Sequence, residues 1–210
     1  MNSLKNKKFF LLDMDGTIYL DNNLFDGTID FLNYVKSIGG KYMFLTNNSS
    51  KSVSAYVDKL IRIGIDAEVD DFLTSTDATI LYIKEKMQGR RFYSFGTASF
   101  TEQLCAAGID VVTDLCEGID GIVMGNDNEL TFRKLEDVCK LLLLHEVDYI
   151  ATNPDLVCPT EFGSVPDCGS VCDMIYNATK KRPLVIGKPE PLMPQLAMER
   201  LGIAAEQAVC

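Results

Sequence analysis

Two aspartates follow a short apolar run near the start of the chain, in the stretch FFLLDMDGT at residues 9–17. Four apolar residues that lead directly into Asp13 predict a buried strand with both carboxylates, Asp13 and Asp15, at its end. Two carboxylates this close repel each other, so we expect them to bind a cation or to share a proton. Mg²⁺ meets this need because it prefers oxygen ligands and keeps several waters. The alternative is a plain Asp-Gly turn, but turn chemistry explains two acids at a buried strand end poorly.

A second polar group ends another predicted strand, in FLTNNSS at residues 44–50. Thr46 and Asn47 follow the apolar residues, and further amides and hydroxyls follow them just before a predicted helix. Neutral donors beside a helix N-terminus bind a phosphate dianion well. The alternative is an ordinary helix cap at Ser49 or Ser50, which needs only one of these residues. Phosphate binding is favoured because Asp13 and Asp15 end a predicted neighbouring strand.

A single lysine lies in the third segment, LVIGKPEP at residues 184–191. Lys188 follows a short predicted strand and Gly187, and two prolines stiffen what comes next. A lysine in this position can neutralise a nucleophilic carboxylate and a phosphoryl oxygen together. The alternative is an exposed loop lysine, which is the usual situation of this residue type.

The order of apolar segments predicts the elements that carry these residues. Short apolar strands alternate with amphipathic helices, which is typical of an α/β fold with a largely parallel sheet. There are more strands than one small sheet needs, so we predict two units, one inserted in the other. Residues 1–81 and 182–210 form the first unit, and residues 82–181 form the inserted unit. We also predict a strand at residues 69–75 and a loop at residues 159–170.

The bulk composition excludes several classes of function. The chain has 210 residues, a net charge of −10 and scattered lysines and arginines, which argues against nucleic acid and anionic membranes as partners. The basic cluster at residues 5–8 is interpreted as a solvated N-terminus. Apolar runs are too short for a signal peptide or a bilayer span. We therefore expect a soluble cytoplasmic protein with reduced cysteines, and a helix-terminal role for its one histidine, His145.

The three segments, in this order, resemble the motifs of the haloacid dehalogenase-like phosphohydrolases. The similarity is greatest to the subgroup of NagD-like and para-nitrophenyl-phosphatase-like enzymes. The segments ATNPD (residues 151–155) and GSVCDMIYNAT (residues 169–179) also resemble subgroup segments, so the likeness covers nearly the whole chain. It implies a Rossmann-like core with a parallel sheet and an inserted α/β cap of the C2 type.

The resemblance also implies a role for each motif residue. Asp13 is expected to be the nucleophile that forms an aspartyl-phosphate. Asp15 is expected to protonate the leaving oxygen and then activate water. Lys188 balances charge, and Mg²⁺ bridges Asp13, the backbone carbonyl of Asp15 and the phosphate. The phosphate-binding residues that we expect are Gly16, Thr46 and Asn47.

The expected function is a Mg²⁺-dependent phosphatase that acts on a small phosphorylated metabolite, such as a sugar phosphate or a nucleotide. In the cap, Asn153, Asp155 and the segment 166–170 are expected to face the substrate. Asp167 and Cys168 interrupt a Gly-rich turn that the subgroup resemblance leads us to expect there. Because caps can pair, a homo-oligomer is possible. A phospho-acceptor signalling domain is disfavoured by the second unit and by the TNNSS segment.

The family's fourth motif, an acidic Mg²⁺ ligand on a strand after the last helix, is not found in the 210 residues. The final segment AEQAVC is expected to lead into that strand. We therefore expect the Asp13 strand to have an open edge and the magnesium site to have one carboxylate fewer. The hypothesis that follows is a weakly active or inactive form. Its alternative is a non-catalytic form that binds phosphate or a partner.

Overall fold

The computed structural model describes residues 7–210, so Lys5 and Asn6 of the basic cluster lie outside the described residues. In chain order the strands are β1 (Phe9–Asp13), β2 (Tyr19–Leu20), β3 (Asn23–Leu24), β4 (Lys41–Thr46), β5 (Phe72–Thr74), β6 (Arg91–Phe95), β7 (Asp110–Val112), β8 (Gly121–Met124), β9 (Asp148–Ala151), β10 (Val157–Thr160), β11 (Gly163–Pro166), β12 (Leu184–Val185) and β13 (Ala208–Val209). The α-helices are α1 (Thr28–Ser37), α2 (Val53–Arg62), α3 (Ser75–Lys86), α4 (Ala98–Ala106), α5 (Phe132–Leu144), α6 (Cys168–Thr179) and α7 (Leu192–Leu201).

The first sheet has four parallel strands in the order β13-β1-β4-β5. Asp13 at the end of β1 is in register with Leu45 of β4, and Thr46 at the end of β4 is in register with Thr74 of β5. The carboxyl ends of these strands therefore lie at one edge of the sheet, where open α/β folds bind ligands. The predicted α/β class with a parallel sheet is confirmed.

The edge of this sheet differs from the prediction. Ala208 and Val209 form a short strand that pairs in parallel with Phe9 and Phe10. The expectation of an open edge beside β1 is therefore wrong for its first two residues. The physical reason is that the chain leaves the 3₁₀ turn at residues 205–207 already extended, so its backbone groups can pair with β1.

A second sheet has five parallel strands in the order β12-β9-β8-β6-β7. Strand β12 belongs to this sheet, because Leu184 and Val185 pair with Ile150 and Ala151 of β9. The predicted boundary between residues 181 and 182 had placed β12 in the first unit, so that detail is corrected. Helix α3 also continues through the other predicted boundary, near residue 82. The division into a core and an inserted cap stays a proposal.

Two local predictions are wrong. Residues 69–71 form a 3₁₀ turn, and the strand after it spans only Phe72–Thr74, because the Asp71 carboxylate accepts a hydrogen bond from the backbone N of Glu68 (2.8 Å) and holds the turn. The predicted loop at 159–170 contains most of the β10–β11 hairpin and the start of α6. Gly163 permits the tight hairpin turn because its φ is +136°.

The hydrophobic core joins the two sheets. One cluster contains Phe9 and Met43 of the first sheet together with Phe92 and Val123 of the second, and all four side chains are buried. Separate clusters fill the space between the second sheet and helices α5 and α6, and between the first sheet and helices α1 and α2. Because one cluster is common to both sheets, their relative position is held by apolar packing as well as by polar contacts.

The structure also bears on the predictions for His145, for the cysteines and for membrane crossing. His145 is the residue at which α5 ends, as predicted. The seven cysteines are free thiols. Among the helices in residues 7–210, none is long and apolar enough to cross a membrane.

Candidate active site

A cavity of about 230 Å³ lies where the carboxyl ends of the two sheets meet. The sequence-predicted residues Asp13, Asp15, Thr46, Asn47 and Lys188 all line it. The cap segments contribute the rest of its wall: Asp155, Val157, Cys158, Pro159 and Asp167, with Asn48 beside them. Residues that are up to 175 positions apart in the chain are thus brought to one cavity.

Asp13 and Lys188 form the closest charged contact in the cavity. The Lys188 Nζ donates to Asp13 Oδ1 at 2.5 Å and to the backbone oxygen of Leu45 at 3.2 Å. The Asp13 side chain is about half exposed, at 49%, whereas that of Lys188 is 22% exposed. The ammonium balances the charge of the Asp13 carboxylate, and the exposed side chain stays accessible to a substrate, as a nucleophile must be.

Gly187 is required for the approach of Lys188 to the first sheet. A Cβ at this position would lie 2.4 Å from the backbone oxygen of Thr152 and 2.6 Å from Asn47 Oδ1. The backbone N of Gly187 donates to that same Thr152 oxygen at 2.8 Å. Only glycine can pass this close to the end of β9 without displacing the lysine.

Asp15 lies deeper than Asp13 and in a different environment. Burial raises the pKa of Asp15, the nearby Lys59 ammonium lowers it, and the Asp13 carboxylate raises it. The Lys59 Nζ is 4.0 Å from Asp15 Oδ1 and 3.6 Å from the centre of the Tyr19 ring. A carboxyl group with a raised pKa is suited to carry a proton.

Asn47 links the first sheet to the second. Its Nδ2 donates to Asp155 Oδ2 and to the backbone oxygen of Lys188, both at 2.9 Å, and its Oδ1 accepts from the backbone N of Lys188 at 2.9 Å. Its backbone oxygen accepts from Ser75 Oγ and from Asn153 Nδ2, both at 2.7 Å. The side-chain amide of Asn47 therefore positions Lys188 and Asp155 at the cavity.

The hydroxyls after Asn47 lie in the seam between the sheets, not at a helix start. Ser49 is fully buried, and its Oγ accepts from the backbone N of Asn126 (2.7 Å) and shares a hydrogen with the Thr152 hydroxyl (3.0 Å). The N-cap of α2 is Ser52, so the predicted cap at Ser49 or Ser50 is wrong. The loop between β4 and α2 thus carries Ser49 to the second sheet before the helix begins.

Two other predicted site residues have positions that differ from the prediction. Asn153 was expected to face the substrate, but it is fully buried, and its Oδ1 accepts from the backbone N of Asp155 at 2.9 Å. Its hydrogen bonds to Asn47 and Asp155 hold these two residues in place. Gly16 has a φ of +81°, and its backbone N donates to the oxygen of Tyr19 at 2.9 Å. That amide is therefore used within its own turn, while Asp155 does line the cavity as predicted.

Several residues at or near the cavity could not be singled out from the sequence. Cys158 and Pro159 line it but belong to a hairpin that was predicted as a loop. Lys59, which lies 4.0 Å from Asp15, is one of the polar residues of α2. Asp167 was included only in a segment expected to face the substrate. It is 4% exposed, and burial raises its pKa to about 6, although hydrogen bonds from Cys168 and Asn153 partly offset this effect. A polar residue before an apolar helix, the usual N-cap signal, could have marked Asp167.

The cavity fits a hard divalent cation. Four carboxylates, those of Asp13, Asp15, Asp155 and Asp167, line it with one lysine, so its wall carries an excess of negative charge. A phosphate dianion needs additional positive charge to enter such a cavity. Within residues 7–210, no three His, Cys, Asp or Glu side chains are placed to hold a metal by themselves. Asp13 and Asp15 provide oxygen donors for Mg²⁺, which keeps several waters as ligands.

The fold and the cavity define an α/β enzyme with an acidic reaction centre at the carboxyl edge of a parallel sheet. A family model of the haloacid dehalogenase-like hydrolases matches residues 10–110. The acid sugar phosphatase of Staphylococcus aureus is 34% identical over 200 residues, which are 95% of this chain and 76% of that protein. The chain belongs to the haloacid dehalogenase-like hydrolases, as the motifs predicted.

Solved structures show the same relationship. The 4-nitrophenylphosphatase of Thermotoga maritima aligns with a TM-score of 0.91 and 36% identity, over 98% of this chain and 77% of that chain. The glycerol phosphate phosphatase of Mycobacterium tuberculosis, in complex with magnesium, aligns with a TM-score of 0.89 and 26% identity, over 98% of this chain and 61% of that chain. These relatives are phosphatases, which places this chain among the hydrolases.

Proposed function

We propose that the protein is a Mg²⁺-dependent phosphomonoester hydrolase of small phosphorylated metabolites, which acts through an aspartyl-phosphate on Asp13. The observation that carries the proposal is the Lys188–Asp13 contact of 2.5 Å at a cavity that Asp15 and Thr46 also line. A half-exposed carboxylate, a partly buried acid with a raised pKa and a lysine are the groups that this reaction needs.

In the first half of the proposed reaction, an Asp13 oxygen attacks phosphorus while the bond from phosphorus to the leaving oxygen breaks. Asp15 donates its proton to that leaving oxygen, so the alcohol departs neutral. Burial supports this role because it raises the pKa of Asp15, which favours the protonated form. Thr46 holds the phosphoryl group, and Lys188 balances the charge that develops on it. The Asn47 side-chain amide, predicted to bind phosphate, instead uses its donors within the protein and holds Lys188 in place.

In the second half, Asp15 accepts a proton from a water molecule, which attacks phosphorus and breaks its bond to Asp13. Inorganic phosphate leaves, and both aspartates return to their starting states. Asp13 and the backbone carbonyl of Asp15 would hold the Mg²⁺, which when bound supplies positive charge to the phosphoryl oxygens. The magnesium complex of the Mycobacterium tuberculosis relative supports this choice of metal.

The size of the cavity supports a small substrate. Its volume of about 230 Å³ is below the range of roughly 300–1,000 Å³ that is common for ligand sites. Relatives include an acid sugar phosphatase and a glycerol phosphate phosphatase, so a short sugar or polyol phosphate is the proposed class.

We also propose that the protein is cytoplasmic and that it forms a homo-oligomer. Light scattering on the purified chain would test the oligomeric state.

The test is release of phosphate from para-nitrophenyl phosphate, with and without Mg²⁺, by the 210-residue chain and by Asp13→Asn. We expect Mg²⁺-dependent turnover that Asp13→Asn abolishes without a change in melting temperature. Asp30→Asn, which removes an exposed carboxylate on α1, is the matched control and should remain active. Binding of phosphate by a folded chain without turnover would instead support the non-catalytic alternative.

A further inference from the structure

The cap side of the cavity carries two carboxylates that the proposed reaction does not use. Asp155 follows β9, Asp167 precedes α6, and both line the same cavity as Asp13 and Lys188. In a cavity of about 230 Å³, a phosphomonoester whose phosphorus is at Asp13 brings its leaving group close to this part of the wall.

Neither cap carboxylate has a cationic partner in the part of the chain that the structure describes. The Asp155 carboxylate accepts from the neutral amide of Asn47 at 2.9 Å. The Asp167 carboxylate accepts from the backbone N of Cys168 at 2.5 Å, and the residue is 96% buried. Lys188, in contrast, is committed to Asp13. Among the described residues that line the cavity, Asp155 and Asp167 therefore carry negative charge that no ion pair compensates.

We propose, on the basis of the function proposed above, that Asp155 and Asp167 determine specificity: they select phosphomonoesters with a neutral or cationic leaving group and reject those with a second anionic group. Ionised carboxylates only accept hydrogen bonds, so they can bind hydroxyl or ammonium donors but not another carboxylate or phosphate. At short range these carboxylates also repel a second anion, which disfavours substrates that carry one.

The small volume makes this selection effective. In a cavity of about 230 Å³, the charged end of a short leaving group stays close to the wall that carries both carboxylates. Substrates such as sugar alcohols or amino alcohols esterified with one phosphate therefore fit the charge of the wall. Short phosphorylated acids, bisphosphates and nucleoside diphosphates do not.

Asp167 also has a structural role, which the test must separate from selectivity. It is the N-cap of α6. Asparagine caps helices about as well as aspartate does, so Asp167→Asn removes the charge and keeps the cap. Asp173→Asn is the matched control, because it removes one carboxylate from the exposed side of the same helix.

The experiment measures binding of three non-hydrolysable probes by calorimetry in the presence of Mg²⁺: 2-aminoethylphosphonate, 2-hydroxyethylphosphonate and phosphonoacetate. These have the same chain length and end in a cation, a neutral hydroxyl and an anion. We expect phosphonoacetate to bind at least about tenfold more weakly than the hydroxyethyl probe. Asp167→Asn should reduce that difference by about tenfold, and Asp173→Asn should leave it unchanged.

Turnover of the corresponding phosphate esters, measured in parallel, distinguishes this inference from the proposed function. If the binding order is graded by charge but no ester is hydrolysed, the selectivity stands and the proposed reaction fails. Equal affinity across the three probes, or a difference that Asp167→Asn does not alter, overturns the inference even if all the esters are hydrolysed. Absence of binding by the neutral and cationic probes also overturns it.

Discussion

Lys188 connects the second sheet to the proposed nucleophile, Asp13. Its backbone pairs with Asn47, and its Nζ contacts Asp13 and the backbone oxygen of Leu45. The lysine therefore reaches the end of β1 from a segment that leaves the other sheet. Because the ammonium also lies where phosphoryl oxygens would be, its charge is expected to matter more for turnover than for stability.

We expect Lys188→Met to lower kcat/KM for para-nitrophenyl phosphate by about 10²- to 10³-fold, the usual cost of removing one group that stabilises transition-state charge. Lys188→Arg should recover little of this loss, because a planar guanidinium cannot replace the compact ammonium between Asp13 and Leu45. The melting temperature should change little, since the Asp13 side chain is half exposed. Near-normal activity of Lys188→Met would contradict this assignment.

Asp167 is expected to make stability depend on pH. Burial raises its pKa from an ordinary value of 3.8 to about 6, so between these values the folded state binds more protons than the unfolded state. Its contribution is fully favourable below pH 3.8 and is lost as the pH rises through about 6, a loss of about 3 kcal/mol. Asp167→Asn should therefore raise the melting temperature at pH 7.5 and have a smaller effect at pH 5.

The control for this measurement is again Asp173→Asn, for which the gain in melting temperature should be absent. A gain from Asp167→Asn that is the same at pH 5 and pH 7.5 would show that the ionised carboxylate is not the cause. A loss of stability at both values would indicate that the cap of α6 requires aspartate in particular.

At the scale of elements, two hairpins meet beside the cavity. The backbone N of Glu161, at the turn of β10–β11, donates to Asp21 Oδ2, and Asn23 Nδ2 donates to Glu161 Oε1, both at 2.6 Å. Pro159 of the same hairpin lies against Gly16 in the turn after β1. These contacts hold the β10–β11 hairpin over the turn that carries Asp15.

We expect Asn23→Ala combined with Asp21→Ala to speed amide hydrogen exchange in residues 157–166 without a comparable change in the rest of the second sheet. Exposed hydrogen bonds contribute little to global stability, so the melting temperature should fall only slightly. Mass spectrometry of exchanged peptides makes the measurement. Glu146→Ala, at a 98% exposed side chain away from the hairpin, serves as the control, and unchanged exchange in 157–166 would contradict the expectation.

The sequence predicted the elements with strong periodicity and the residues at strand ends. The strands that lead into Asp13 and Thr46 form as predicted, and Asp13, Thr46 and Lys188 line one cavity. It could not predict β10 and β11, because short strands with Pro159 and Gly163 carry the local signals of a loop. Nor could it place β12, since a two-residue strand has no pattern that selects one sheet over another.

The sequence also could not predict the orientation of individual side chains. Asn153 and Asp155 are two residues apart in one polar loop, yet one is fully buried and the other lines the cavity. The difference arises from Asn47, whose backbone oxygen accepts a hydrogen bond from Asn153 and whose side-chain amide donates one to Asp155. Such an arrangement depends on contacts between residues more than 100 positions apart, which local patterns do not encode.

At the scale of the whole molecule, the two sheets are joined by a common apolar cluster and by a polar seam. The cluster includes Phe9 of β1, Phe92 of β6 and Phe100 of α4, all fully buried. The seam includes the hydroxyls of Ser49 and Thr97. The Thr97 hydroxyl donates to the backbone oxygen of Ser50 at 3.2 Å. Neither sheet can lose its structure without exposing apolar surface that the other has buried, so we expect the chain to unfold as one cooperative unit.

Two core truncations test this cooperativity. Each lies in the apolar cluster that one sheet forms with its own helices. Ile175→Ala on α6 and Leu60→Ala on α2 should each cost about 2–5 kcal/mol, because both side chains are buried. If unfolding is cooperative, the slowest-exchanging amides of β4 and β8 accelerate together in both variants, since these amides exchange through global opening. If the sheets are energetically independent, Ile175→Ala accelerates only β8 and Leu60→Ala only β4. In that case the common cluster would fix the position of the sheets without coupling their stability, and the cavity between them could open without either sheet unfolding.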